Sequence, residues 1–301
     1  MTRAQIALLP DEQRLHLQDG PIDLIIEAFG TAAAVERAYR AAAARFVTIL
    51  DELCAELKLL RSATVPGRCA LRGGIARRMH EAVEPFAADR FITPMAAVAG
   101  AVAEEVLETM TAAVPLARAY VNNGGDIALH LAPGESFTIG MVSRPDHPAL
   151  FGSANIAAED PVCGIATSGW RGRSFSLGIA DAVTVLADTA AQADAAATVI
   201  ANAVDLPGHP DIQRVPACEL QPDTDLGSRL VTRSVPRLRD DEIEQALSAG
   251  VTCAEQARAR GLITAAALHL QGCTRFAGAI TSLPIPGRFE SERKRGAWLS
   301  W

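Results

Sequence analysis

The sequence predicts a protein of the α+β class, in which helices and antiparallel strands occupy separate runs of the chain. Three observations support this class. Apolar residues recur at spacings of three and four over residues 30–61, which is typical of an amphipathic helix. Five short strand-like segments separated by Gly, Asn or Pro turns follow from residue 118, and an alanine-rich helix ends the stretch 164–204.

The composition is that of a globular protein. The chain has 301 residues, of which 49% are hydrophobic and 21% charged, so it can bury a sizeable core. We expect a single domain over residues 1–301. The C-terminal segment 285–301, which ends in ERKRGAWLSW, either is loose or docks on the body or on a partner subunit, which leaves a homo-oligomer open.

In the first third of the chain, residues 14–29 alternate around a turn at 19–21 and predict a β-hairpin. A long helix is predicted from Gly30-Thr31 to about Arg61, followed by a turn-rich loop over 62–74 and a short helix over 75–83. A further helix is predicted to run to about residue 110. We expect Thr93 to be its N-cap and Pro94 its first helical residue.

From residue 118 the pattern changes to strands. The five segments between 118 and 167 predict an antiparallel meander. The later elements are less regular and form one further group. They are a strand at 182–187, the alanine-rich helix, a loop at 205–216, a strand at 229–236, a helix at 240–259 and a strand at 262–270.

Charge and motif patterns exclude several functions. The net charge of −7 gives no electrostatic footprint for nucleic acid, and no apolar run is long enough to span a membrane. The N-terminus has no apolar run of signal-peptide length, so we expect a cytoplasmic protein. The six histidines lack zinc spacings, the six cysteines are scattered as free thiols, and there is neither a P-loop nor a G-x-G-x-x-G motif.

A glycine pair joins the first two strands of the predicted meander. Asn123, Gly124, Gly125 and Asp126 suit a tight hairpin turn, because Asn and Gly tolerate positive φ. The same geometry exposes backbone N–H groups to a phosphate or carbonyl, and Asp126 adds a carboxylate. Turn and ligand site are equally weighted alternatives here.

Hydroxyls and guanidinium groups follow a later predicted strand. Thr167, Ser168 and Gly169 are followed by Arg171 and Arg173, a combination that indicates an anion-binding loop. The alternative is that the two arginines are only solvated. Ser168 lacks a G-x-S-x-G elbow, and no histidine is placed by sequence as its base. No catalytic residue is assigned.

Two oxygen-bearing side chains lie on one face of the alanine-rich helix. Asp194 and Thr198 are four residues apart, and their oxygens suit Mg²⁺. From spacing alone, the favoured alternative is that Thr198 bonds a carbonyl of its own helix while Asp194 is exposed.

The segments TPMAAVAGAVAE, VNNGGDIAL, GIATSGWRGRSFSLGIADAVTVLA and ADAAATVIANAV resemble a cytosolic branch of the ApbE superfamily, known for FAD:protein FMN transferases. The resemblance implies an α+β fold, ApbE-like and related to the T-fold, with helices packed on antiparallel sheets. It also implies Mg²⁺ ligands at Asp194 and Thr198 and at the carbonyl of Ala96. FAD or FMN is implied near the turn at 124–127.

The chain departs from the transferase pattern at two places. Residues 176–181 (SLGIAD) stand where the transferases have H-x-x-D-P, and the lysine of K-G-x-A is replaced within TPMA. Three functions therefore stay open. The first is a Mg²⁺-dependent enzyme, a transferase or hydrolase, that acts on a phosphorylated flavin- or pterin-like small molecule. The second is a non-catalytic flavin- or nucleotide-binding protein, and the third is a structural or assembly role.

Overall fold

A computed structural model of the chain describes residues 3–142, 150–278 and 298–299. The predicted C-terminal segment 285–301 lies outside these residues, except for the short strand at its end. The fold contains both strands and helices, and the described strand pairs are almost all antiparallel. This confirms the predicted α+β class. Within the described ranges, no helix combines the length and apolar character that a bilayer span requires.

The described chain contains fourteen strands. They are β1 (Gln5–Leu8), β2 (Leu15–Asp19), β3 (Ile22–Phe29), β4 (Arg118–Asn123), β5 (Asp126–Leu131), β6 (Ser136–Val142), β7 (Leu150–Ala157), β8 (Gly164–Ser168), β9 (Ala182–Ala187), β10 (Gln213–Pro216), β11 (Leu230–Ser234), β12 (Ala265–Leu270), β13 (Cys273–Ala277) and β14 (Trp298–Leu299). The hairpin predicted over 14–29 is β2–β3 and is confirmed. Strand β1 was not predicted.

Seven α-helices and two 3₁₀ turns lie in the same ranges. They are α1 (Ala32–Ala55), α2 (Leu57–Leu60), α3 (Gly74–Val83), α4 (Val98–Ala113), α5 (Ala190–Ala203), α6 (Ala217–Leu220) and α7 (Asp240–Ala259), with 3₁₀ turns at Glu84–Phe86 and Pro94–Ala97. The long helix predicted to end near Arg61 is interrupted at Glu56, which separates α1 from α2. The side chain of Glu56 accepts hydrogen bonds from the N–H groups of Arg72 and Gly73, so it anchors the following loop.

The prediction of a single domain stays a prediction. By their internal contacts the residues divide into two units that alternate along the chain. Unit 1 comprises Met1–Ser136, Ala157–Ala166 and Ala187–Ala195, and unit 2 comprises Phe137–Ile156, Thr167–Leu186 and Ala196–Trp301. Strands β8 and β9 and helix α5 each have residues in both units.

Unit 1 is a sheet with helices packed on it. Its strands follow the order β1-β2-β3-β4-β5-β8, and every neighbouring pair is antiparallel. Strand β3 alternates between buried and partly exposed residues, which is the pattern of a strand with one face against a core. Helix α4 packs on β4 and β5, and α1 packs on α4. Phe46 of α1 and Met110 of α4 are fully buried in this layer.

Unit 2 contains three groups of neighbouring strands. Strands β9, β12 and β13 are neighbours in that order, and both pairs are antiparallel. Helix α7 packs on β12 and β13. Strand β12 is buried along its whole length, which explains why its sequence is apolar without alternation. Strands β10 and β11 form a second sheet, and β14-β6-β7 form a third.

Two predictions about these elements are wrong. The five-strand meander is not formed, because β5 pairs directly with β8 while β6 and β7 belong to another sheet. The helix predicted from Pro94 begins at Val98, since Pro94–Ala97 is a 3₁₀ turn, and Thr93 makes no side-chain cap. Local sequence patterns predict where strands and helices form. They do not predict strand pairing or helix caps, because these depend on residues distant in sequence.

Candidate functional site

The Gly-Gly motif is the turn of the β4–β5 hairpin. Gly124 has φ +62° and Gly125 has φ +119°, conformations that favour glycine at both positions. The Gly125 N–H donates to Asn122 Oδ1 at 2.8 Å, so this group serves the turn itself. Of the two alternatives for this motif, a hairpin turn and a ligand site, the backbone forms the hairpin turn. A ligand role for Gly124, Gly125 and Asp126 stays a prediction.

Asn123 ties this turn to the start of helix α4. Its side chain is only 5% exposed, and its Nδ2 donates to the carbonyl oxygen of Ala99 at 3.1 Å. A buried amide needs hydrogen-bond partners, and this contact supplies one. The Gly-Gly motif and the TPMAAVAG segment, which are separate in sequence, are thereby fixed side by side in unit 1.

The first turn of helix α4 receives a carboxylate from helix α5. The Gly100 N–H donates to Asp194 Oδ2 at 3.0 Å, and the Ala99 N–H also bonds this carboxylate. Ala99 and Gly100 are the second and third residues of α4, and N–H groups at these positions have no partner within the helix. Asp194 thus does for α4 what an N-cap side chain does, but from 94 residues away.

The environment of Asp194 changes its acidity. Burial raises the pKa of Asp194 to about 7, and the hydrogen bonds from Gly100 and Ala99 lower it only in part. No nearby cation contributes to this balance in the described chain. The alternative of a merely exposed Asp194 is therefore wrong. The Asp194 carboxylate, whose Oδ2 accepts the Gly100 N–H, keeps lone pairs for a cation.

Ala96 lies in the 3₁₀ turn that precedes α4. Its N–H donates to the carbonyl oxygen of Thr93 at 3.1 Å. In unit 1, Asn123 and Asp194 therefore both contact the short segment 93–100, which contains Ala96. Thr198 follows Asp194 by one turn on α5 and belongs to unit 2. The metal role of these residues stays a prediction.

Helix α5 in turn receives a carboxylate from α4, which sequence reasoning missed. Glu104 Oε2 accepts from the Ala191 N–H at 3.2 Å, and Thr189 Oγ1 accepts from the Gln192 N–H at 3.2 Å. Burial raises the pKa of Glu104, although Arg78 at 3.1 Å opposes this. The two helices therefore cap each other. Glu104 is the last residue of the TPMAAVAGAVAE segment, which was the available signal.

Close approach of backbones explains two glycines near these caps. A Cβ at Gly100 would lie 2.2 Å from the carbonyl oxygen of Ala190, and a Cβ at Gly164 would lie 2.2 Å from that of Thr189. Such distances are far below van der Waals contact. The residue type at both positions is therefore fixed by the start of α5, which lies against α4 and β8.

The Thr-Ser-Gly loop and its arginines lie in unit 2. Arg171 Nε donates to Asp181 Oδ1 at 2.8 Å, and its guanidinium stacks on the Trp170 ring at 4.2 Å. Asp181 is 8% exposed and also accepts from the Gln271 N–H at 2.7 Å. Arg171 is therefore held by Asp181, which sequence reasoning did not assign as its partner.

The remaining residues of this loop differ in their surroundings. The Thr167 hydroxyl lies 2.9 Å from the Thr184 hydroxyl. Ser168 ends strand β8 and is partly exposed, and Gly169 has no room for a Cβ because the Asp181 carbonyl oxygen would be 2.3 Å away. Arg173 is exposed. An anion-binding role for these four residues stays a prediction.

The segment at 176–181 is built into the end of helix α5. Ser176 Oγ donates to Asn202 Oδ1, which also accepts from the Leu177 N–H at 2.8 Å. The Ile179 N–H donates to the carbonyl oxygen of Val204 at 2.8 Å. In place of the H-x-x-D-P segment that the resemblance implies, this chain has a turn whose Ile179 N–H satisfies the carbonyl of Val204, directly after α5.

A histidine close to Asp181 in unit 2 comes from strand β12. His269 is 8% exposed, its Nδ1 lies 2.9 Å from Thr274 Oγ1, and its carbonyl oxygen accepts from the Asp181 N–H. Burial lowers the pKa of His269, and Asp181 opposes this. Sequence reasoning left His269 out because no motif spacing marks it.

In the residues for which coordinates are described, no three His, Cys, Asp or Glu side chains form a cluster that could hold a metal ion. The predicted ligand set is of another kind, since it combines one carboxylate with a hydroxyl and a carbonyl. Mg²⁺ often takes only one or two protein groups, together with water and substrate phosphate.

Comparison with known families gives one match over most of the chain. The family described as AbpE bacteria matches residues 6–276. Relatives include UPF0280 protein MK0206 of Methanopyrus kandleri, 40% identical over 51% of this chain and 59% of its own. A UPF0280 protein of Methanocella arvoryzae is 34% identical over 52% and 61%. The matched stretch thus spans about three fifths of the length of these relatives.

Among solved structures, the chain is similar to the apo flavinyl transferase ApbE of Pseudomonas stutzeri. The TM-score is 0.43 at 13% identity, covering 91% of this chain and 93% of that one. A mutant of the flavin transferase ApbE from Vibrio cholerae gives a TM-score of 0.45 at 11% identity, covering 88% and 96%.

Proposed function

We propose that this chain, which belongs to the AbpE bacteria family within the ApbE-like superfamily, binds a phosphorylated flavin- or pterin-like ligand together with Mg²⁺ and acts on it. The observation that carries the proposal is the convergence in unit 1 of three motifs. Asn123 bonds Ala99, and Gly100 bonds Asp194. The sequence motifs that resemble ligand-binding segments thus meet through direct hydrogen bonds.

The chemistry of Asp194 supports the metal. A carboxylate whose pKa is raised to about 7 by burial, with no cation beside it in the described residues, is stabilised by a bound divalent ion. Asp194 and the carbonyl of Ala96 would hold the ion, and the sequence adds the hydroxyl of Thr198. Mg²⁺ bound there supplies a positive charge that can polarise a phosphoryl oxygen.

The protein groups around Asp194 have a positioning role. The N–H groups of Ala99 and Gly100 fix the carboxylate, so its orientation does not depend on the ligand. Asn123 fixes the glycine turn against the same segment. The turn then offers exposed backbone at Gly124 for a phosphate or a ring carbonyl.

The test is a thermal-shift comparison of FAD, FMN and a pterin phosphate, each with Mg²⁺ and with EDTA. A ligand that binds only the folded protein raises Tm, and a hundredfold excess over Kd stabilises by about 2.7 kcal/mol. We expect a Tm increase with at least one of these ligands, larger with Mg²⁺ than with EDTA. Equal Tm values with and without every ligand would contradict the proposal.

A second function is favoured by the segment at 176–181, which binds the end of α5 and carries no histidine. On this account the protein binds the ligand without chemical turnover. Incubation with FAD and Mg²⁺, followed by chromatography of the nucleotide, distinguishes the two. Cleavage or transfer that is lost in Asp194→Asn supports the enzyme, and intact FAD after binding supports the non-catalytic protein.

A further inference from the structure

The guanidinium group of Arg171 in unit 2 is held from two sides. Its Nε donates to Asp181 Oδ1 at 2.8 Å, and its central carbon lies 4.2 Å from the centre of the Trp170 ring. A free arginine side chain samples many rotamers and loses this freedom when it binds a ligand. The ion pair and the stacking contact fix the guanidinium plane during folding, so a ligand that binds Arg171 meets a smaller entropy cost.

The carboxylate that holds Arg171 is itself fixed. Asp181 is buried, and its Oδ1 also accepts from the Trp170 indole N–H at 3.3 Å. Its Oδ2 accepts from the Gln271 N–H at 2.7 Å, and its own N–H donates to the carbonyl oxygen of His269. Both carboxylate oxygens therefore have donors within the protein, and Asp181 needs no ligand to keep its orientation.

Main-chain contacts fix the start of the same loop. The Trp170 N–H donates to the carbonyl oxygen of Ala180 at 3.0 Å. Gly169 passes so close to Asp181 that a Cβ would meet its carbonyl oxygen at 2.3 Å. The backbone that carries Arg171 and the side chain that orients it therefore belong to one connected structure.

The outer nitrogens of this guanidinium are available to a ligand. Asp181 uses Nε, and Nη1 and Nη2 of Arg171 have no hydrogen-bond partner among the described residues. Neither nitrogen is among the unpartnered atoms of the described chain that are closed off from solvent, and the side chain is 28% exposed. The N–H groups of Nη1 and Nη2 are parallel and match two oxygens of one phosphate or carboxylate.

The rest of the loop favours phosphate over carboxylate. Residues 167–176 contain a second guanidinium at Arg173 and no carboxylate. Ser168 and Ser174 add hydroxyl groups on residues that are at least partly exposed. A carboxylate has only two oxygens, which Nη1 and Nη2 of Arg171 would occupy. A phosphate has further oxygens and a second negative charge, which these additional donors can satisfy.

We propose that Arg171 binds a phosphate group through Nη1 and Nη2, and that Asp181 and Trp170 are the residues that position it. All three residues belong to unit 2, and the contact needs no metal ion. The proposal therefore stands apart from the proposed function and does not depend on Asp194.

Calorimetric titration with inorganic pyrophosphate tests the proposal, in EDTA and at constant ionic strength. We expect saturable binding of pyrophosphate by the wild type and no saturable binding of acetate. Arg171→Lys keeps the positive charge but removes the paired donors and the planar group, so it should weaken binding at least about fivefold. Arg173→Lys is the matched control, because it makes the same change at an exposed arginine two residues away and should alter binding by less than about twofold.

Asp181→Asn separates positioning from charge. The loss of a negative charge would by itself tighten the binding of an anion. The amide NH₂ would, however, face a donor that the carboxylate now accepts, either the Gln271 N–H or the N–H groups of Trp170 and Arg171. We therefore expect Asp181→Asn to weaken pyrophosphate binding.

Tryptophan emission gives a readout that a merely structural ion pair would not move. Pyrophosphate should change the emission of the wild type, and Trp170→Phe should abolish this change. Four results would overturn the proposal: no saturable pyrophosphate binding at millimolar concentrations, equal weakening by Arg171→Lys and Arg173→Lys, tighter binding by Asp181→Asn, or loss of binding in Asp194→Asn. Unchanged pyrophosphate binding in Asp194→Asn supports it, whatever the outcome of the flavin titrations.

Discussion

At the scale of the residue, Asp194 is the side chain on which the account depends. Its position on a helix and its spacing from Thr198 are readable from the sequence. Its hydrogen bonds to Ala99 and Gly100 are not, because Gly100 lies 94 residues away and no local pattern encodes either partner. The same holds for Arg171, whose partner Asp181 was visible in sequence only as the end of a variant motif.

The raised pKa of Asp194 predicts a pH-dependent stability. The folded protein keeps the proton up to about pH 7, whereas the unfolded chain releases it near 3.8, so stability falls as pH rises through this window. Asp194→Asn cannot titrate. Measured by urea unfolding with EDTA, the variant should gain about 2 kcal/mol relative to wild type between pH 4.5 and 8.

The control for this measurement is Asp241→Asn. Asp241 is exposed, and its hydrogen bond with Arg239 lowers its pKa, so its carboxylate stabilises the fold as pH rises. The difference between this variant and wild type should change in the opposite direction or stay flat. If the free energy of unfolding of Asp194→Asn differed from that of wild type by a constant amount across the pH range, the pKa of Asp194 would not be raised in the folded protein.

At the scale of the element, helices α4 and α5 are joined by caps at both of their first turns and by a glycine contact. The sequence predicted α4 from its cap residues and α5 from its alanine content, but it placed the start of α4 four residues too early, at Pro94. The predicted continuous meander was wrong, because alternation of apolar and polar residues indicates that a strand exists but not which strand it pairs with. The close contact at Gly100 has no sequence signal beyond the small residues of the segment TPMAAVAGAVAE.

Substituting Gly100 tests this contact. A methyl group would meet the backbone of Ala190 at 2.2 Å, which cannot be relieved by a rotamer change. Gly100→Ala should therefore lower the free energy of unfolding by more than about 2 kcal/mol, although alanine is the better helix former.

Gly74→Ala is the matched substitution, because Gly74, like Gly100, lies in the first turn of a helix but has open space where its Cβ would lie. Chemical denaturation should show no loss, or a gain of up to about 1 kcal/mol. Equal stabilities for the two variants would mean that α4 and α5 do not approach as closely as described.

At the scale of the whole molecule, the chain is an α+β protein of the AbpE bacteria family. The family resemblance was accessible from four sequence segments. The structure gives three of these segments a physical connection inside unit 1, and it gives the fourth, through Arg171 and Asp181, a network of its own in unit 2. The buried Thr64 hydroxyl and His80 Nε2, which lack hydrogen-bond partners among the described residues, had no sequence signal, because an unpaired buried atom is visible only after folding.

The most direct test of the central proposal is calorimetric titration of FMN into the protein with Mg²⁺ and with EDTA. Glu104→Gln and Asp194→Asn are compared, because each removes one carboxylate that caps a neighbouring helix, and only Asp194 is proposed as a metal ligand. The account predicts Mg²⁺-dependent binding in wild type and Glu104→Gln, weakened at least tenfold in Asp194→Asn. Binding that is equally tight with EDTA, or unchanged in Asp194→Asn, would contradict it.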